Sequence, residues 1–204
     1  MQSDRRQSPS SALASVGAHR YGAWMGIYIS FALADVAKIE AATGSRDGEL
    51  FARIVEENRE DLEADLEERE PEEITELEAL RRLIFDEATS NDWDNTFNDA
   101  YCTLASGFDC RWLDDLNAEW VEWLGEELAA LNIDAARPDD FTVGRHWSNA
   151  ECRSVWQQWL TVTPDQRASL DPRATEAISL WMGWVQEAAS TSNLGIFGVF
   201  YPPW

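Results

Sequence analysis

From Tyr21 to Ala34 the chain reads YGAWMGIYISFALA, fourteen residues without a charge, and apolar positions continue past Asp35 at Val36 and Ile39. That continuity predicts a buried first helix. TGSRDGE then breaks the pattern, after which Phe51, Ile54, Val55, Leu62 and Leu66 recur at helical spacing as far as Pro71. Proline has no N–H to donate and restrains the residue before it, yet suits the first turn of a helix. A second helix is therefore expected to begin at Pro71, with Glu72 and Glu73 against its positive end and Ile74, Leu77, Leu80 and Ile84 as its apolar stripe.

Further on, Trp93, Phe97, Tyr101 and Leu104 fall on one helical face, with Gly107 as its stop. Trp112, Leu116, Trp120, Trp123, Leu124, Leu128 and Leu131 line the next helix, opposite Asp115, Glu119, Glu122 and Glu126. SNAE at 148–151 has the form of a capping box before Val155, Trp156, Trp159 and Leu160. TPDQ at 163–166 repeats a start signal, and Asp171-Pro172 opens a last long helix carrying Ile178, Trp181, Trp184 and Val185. No run alternates at the strand period. The expected fold is all-α: six to eight helices in a compact orthogonal or bundle-like domain with a Trp-rich core and an acidic surface.

The organisation expected is a polar arm over residues 1–15, one helical domain over 16–192 with a subdivision near 132–147, and an extended apolar tail over 193–204. Nine of the eleven tryptophans lie beyond residue 102, which centres the aromatic core in the second half.

Composition narrows the function classes. At 204 residues the chain can bury a substantial core. A formal net charge of -22 repels DNA, RNA and anionic membrane surfaces, so direct nucleic-acid binding is disfavoured. Fifteen arginines accompany a single lysine, Lys38, a pattern shared by salt-adapted proteomes and GC-rich genomes. Three cysteines, Cys102, Cys110 and Cys152, form no disulfide framework and suit reduced thiols in the cytoplasm. The uncharged run is too short for a membrane span of about 20 residues. A processed leader ending near Ala34 competes with the first-helix reading, but the polar lead is long and the apolar pattern continues beyond it.

Candidate chemistry is sparse. His19 and His146 stand far apart and outside any paired-ligand spacing, so no metal and no cofactor is expected. A Cys102 or Cys152 nucleophile assisted by His146 lacks a local signature. Phosphate-binding glycine loops are missing from the sequence, and NDWDNTFND at 91–99 lacks the glycine and closing glutamate of a calcium loop.

Two surfaces stand out instead. Residues 55–85 hold thirteen acidic side chains and four arginines, with Asp65–Arg69 and Glu78–Arg82 at the favourable four-residue spacing. A Glu-rich helix advances about 1.5 Å per residue, close to the roughly 1.7 Å per charge of duplex DNA. Glu56, Glu60, Glu63, Glu67, Glu72 and Glu76 are the candidate face for a basic partner protein. Phe197, Phe200, Tyr201 and Trp204 are the candidate docking tail. The expected function is a non-enzymatic binder of a basic, nucleic-acid-binding protein, such as a virus- or mobile-element-encoded inhibitor or accessory factor. A structural or virion-assembly protein using the C-terminal arm, with homo-oligomeric contacts, is the alternative. An enzyme with dispersed carboxylate or cysteine chemistry comes third.

Overall fold

The structure, a computed structural model, describes residues 28–70, 73–87, 95–108, 110–113, 116–133 and 146–201. Expectations that fall on the arm at 1–15, His19, Pro71, Glu72, residues 91–94, the segment 134–145 and Trp204 lie outside these residues.

An antiparallel sheet organises the molecule, which corrects the all-α expectation. The long strands β1 (Tyr28–Ala34) and β5 (Gly195–Tyr201) pair along their whole length, from Tyr28 opposite Tyr201 to Ala34 opposite Gly195. On the free edge of β1, two short pieces, β2 (Arg111–Trp112) and β3 (Leu116–Asn117), act as one interrupted strand. On the other edge of β5 lies β4 (His146–Trp147).

Helices cover both faces. Ile29, Phe31 and Leu33 of β1, with Ile196 of β5, pack against α6 (Ala118–Ala130), α7 (Asn149–Thr161) and α9 (Pro172–Ser190), beside the short α8 (Pro164–Ala168). The opposite face, Ala32, Ala34, Phe197 and Val199, packs against α1 (Val36–Ala42), α2 (Gly48–Glu57), α4 (Glu76–Phe85) and α5 (Asn95–Ser106). Helix α3 (Arg59–Glu68) runs on from α2 and touches α4.

This layering explains why the strands resemble helices in sequence. Period-two alternation is visible only when one strand face is wet. Here helices cover both faces, so YISFALA and GIFGVFY are uncharged and, Ser30 and the tyrosine hydroxyls apart, apolar. The helix expected across Asp35 instead starts after it, because the Asp35 carboxylate accepts from the Lys38 N–H and caps α1. The helix expected from Trp112 likewise begins only at Ala118, since Trp112 and Leu116 belong to the strand pieces beside β1.

The two cores differ in kind. On the α6–α7–α9 side, Trp181 meets Phe31, Trp147 and Trp184 edge-on, with ring centroids 5.1 to 6.0 Å apart. On the other side Phe197 lies opposite the small Ala32 and stacks on Tyr101 at 5.5 Å. Such pairs contribute about 0.5–1.5 kcal/mol beyond burial. Gly195 is required where β5 begins: a Cβ there would overlap the Trp147 carbonyl and press on Val36.

Candidate interaction surface

The acidic run folds into α2, α3 and α4. Residues 47–87 carry 17 acidic and five arginine side chains, and no lysine. Helix α2 starts at Asp47, whose carboxylate accepts from the Glu49 and Leu50 N–H groups. At Asn58 the helix kinks: its backbone φ of -116° and ψ of 23° depart from helical values, and its side-chain amide donates to the Ile54 carbonyl at 2.9 Å. Helix α3 resumes directly with Arg59. Across this joint Arg59 pairs with Glu56 on one side and Glu63, at 4.0 Å, on the other.

On α3, Leu62 turns inward and is buried. Asp65 and Arg69 form an ion pair at the spacing expected from sequence, and both reach into the neighbouring helices. Asp65 accepts from the Glu76 backbone N–H at 2.8 Å. Arg69 donates to the Ile74 carbonyl at 3.1 Å and to Thr96 Oγ1 at 2.7 Å. The far side of the helix is left to water, and there Glu60, Glu63 and Glu67 form a stripe at i, i+3 and i+7, all exposed. Glu56 is exposed before the kink. Leu66, one position from Glu67, is 58% exposed.

Glu76 departs from the face assigned to it. Helix α4 starts at Glu76 rather than Pro71, because Thr75 supplies the cap: its hydroxyl accepts from the Glu78 N–H at 3.2 Å. In that phase Glu76 shares the inward side with Ala79, Leu80, Leu83 and Ile84, all buried. Thr103 Oγ1 of α5 donates to Glu76 Oε1. Burial pushes the Glu76 carboxyl up to about 7; the neighbouring Asp99 and Asp65 charges push the same way, while the Thr103 hydrogen bond and Arg69 oppose. The sequence signal for this inward carboxyl is its place one turn before the buried pair Ala79-Leu80. Glu78, in contrast, faces out and accepts from Arg81 and Arg82, which hold its carboxyl down at about 2. Glu78–Arg82 is the second pair expected from spacing.

The docking tail resolves differently. Phe197 is fully buried between Tyr101 and Trp112, and β5 is paired on both sides within its own chain. Phe200 and Tyr201 lie in β5, their side chains outside the described set.

Other chemistry finds little geometry. Cys152 is buried, and burial pushes its thiol up to about 12; Cys110 is pushed to about 12 by the same cause. His146 Nε2 lies 2.6 Å from Glu40 Oε1. Glu40 borders an open hollow of about 480 Å³, along with Asp35, Lys38, Ser148, Asn149 and Asn193. Most of its polar groups are engaged in the fold. Lys38 pairs with Asp35 at 3.1 Å, Ser148 and Glu151 close the predicted capping box, and the Asn149 amide donates to the Ala188, Thr191 and Leu194 carbonyls. Among the described residues, no group of three or more His, Cys, Asp or Glu side chains is arranged to hold a metal ion, and no helix is long and apolar enough to cross a membrane.

Fold and surface together define a helix-covered antiparallel-sheet protein with one strongly acidic helical flank. Residues 25–201 match a family described as a domain of unknown function, DUF7691, and the chain belongs to that family. No curated protein and no solved structure matches it.

Proposed function

We propose that this protein is a non-enzymatic, cytoplasmic binder of a basic protein, acting as an inhibitor or accessory factor through the flank formed by α2 and α3. The observation that carries this reading is the solvent-facing series Glu56, Glu60, Glu63 and Glu67 on a helix pair whose other side is anchored by Ile54, Leu62 and the Asp65–Arg69 pair. Carboxylates held on an anchored helix lose little further order on binding, and a row of like charge raises the encounter rate with a cationic surface.

The nucleic-acid-mimic form of the proposal gives the partner a DNA- or RNA-binding groove. Affinity capture from the native host, eluted along a salt series, tests it. The expected partner is basic, is released between about 50 and 300 mM salt, and is displaced by duplex DNA. Glu60→Gln, Glu63→Gln and Glu67→Gln together should abolish its retention. A partner held equally by this triple variant, or held unchanged at high salt, refutes the reading.

A further inference from the structure

Two large apolar side chains of the described residues are exposed, Leu66 at 58% and Leu160 at 54%. They sit in opposite settings. Leu160 is at the end of α7, next to Trp159, whose ring is covered by the Arg167 guanidinium at 4.5 Å. Leu66 stands on α3 one turn beyond the buried Leu62, where the helix's inward stripe emerges into solvent. Glu63 precedes it by three positions and Glu67 follows it directly; Glu70, four positions on, is also exposed. An exposed leucine flanked on one side by the Glu60, Glu63 and Glu67 carboxylates is complementary to a surface that is both apolar and cationic.

We infer that Leu66 is the apolar anchor of the α3 surface and that its partner presents a basic amphipathic helix, with an apolar side chain against Leu66 and lysines or arginines facing Glu60, Glu63 and Glu67. The inference rests on the proposed acidic-binder function and adds the partner's chemistry to it. Helix α3 has ten residues and is about 15 Å long, room for two to three turns of a partner laid alongside. Charge sets approach and orientation; the leucine adds an interaction that salt does not screen. The complex should therefore lose affinity with salt less steeply than charge alone would make it.

Two labelled synthetic peptides of equal positive charge test this by fluorescence anisotropy at about 50 and 150 mM salt. One is a Leu/Lys helix with leucines at i, i+3, i+4 and i+7; in the other, glutamine replaces every leucine. The amphipathic peptide should bind the more tightly at the higher salt. Leu66→Ala should weaken it about tenfold, towards the glutamine peptide, as expected for the loss of one interfacial leucine contact. Leu160→Ala should leave it unchanged. Equal affinity for the two peptides, indifference to Leu66→Ala, or an equal loss with Leu160→Ala overturns the anchor but leaves the acidic-binder reading standing. Failure to bind either peptide, or binding that ignores the Glu60, Glu63, Glu67 triple change to glutamine, overturns both.

Discussion

Glu76→Gln should stabilise this protein at alkaline pH and do so progressively less as the pH falls. The folded-state carboxyl titrates at about 7 against an ordinary value of 4.5, chiefly because it is buried beside α5. A carboxyl whose folded pKa is raised binds its proton more tightly in the folded state. Its favourable contribution is therefore complete below about 4.5 and is lost as the pH rises through 7, above which the folded state holds a partly buried charge. A displacement of about 2.5 units, at about 1.4 kcal/mol per unit, corresponds to about 3 kcal/mol. Glutamine carries no charge, and its carbonyl can still accept from Thr103. It does forgo the favourable meeting of a negative charge with the start of α4, worth about 0.3–1 kcal/mol. The net gain at pH 8.5 is then about 2–3 kcal/mol, shrinking by about 2 kcal/mol at pH 5.5. Urea unfolding followed by tryptophan fluorescence, at fixed ionic strength from pH 5.5 to 8.5, measures both proteins; the buried Trp147, Trp181 and Trp184 report on the core. A gain that is flat with pH, or a loss of stability at pH 8.5, would refute the assignment of a strained, protonatable carboxyl to this position.

Four further outcomes follow from the same structure. Gly195→Ala should lower stability by at least about 2 kcal/mol in denaturant titration, because its methyl has to displace the Trp147 carbonyl of β4. Phe197→Ala, which empties the space between Tyr101 and Trp112, should cost about 3–5 kcal/mol by the same assay. Glu78→Ala should cost less than about 1 kcal/mol, and less again in high salt, since its bonds to Arg81 and Arg82 are half exposed. Cys152 should react with a thiol reagent far more slowly in the native protein at pH 8 than after unfolding; equal rates would contradict its burial.

Local hydrogen-bond chemistry proved legible. Ser148 with Glu151, Thr163 with Gln166, and Asp171 ahead of Pro172 all cap the helices that their spacing announces, because each needs only neighbours within one turn. The strands were illegible for a physical reason: a sheet dry on both faces carries no alternation, and only register distinguishes YISFALA from a buried helix. The acidic stripe of α3 follows from spacing once Leu62 is taken as its inward mark. Glu76 looked like its neighbours because its environment is assembled by Thr103 and Asp99 of a later helix. Thr75, three residues before Glu78, was the overlooked clue, since it fixes where α4 starts and hence which way Glu76 turns.

The pairing of β1 with β5 also sets a timetable. When β1 leaves the ribosome its longest hydrogen-bonding neighbour does not yet exist; residues 35–194 must be made first, which takes on the order of ten to thirty seconds. Until then both helical layers lack the central strand that supplies Ile196 to one and Phe197 and Val199 to the other. Neither layer can finish folding ahead of the other. The nascent chain therefore carries two unfinished apolar surfaces through most of its synthesis, and β5 completes both.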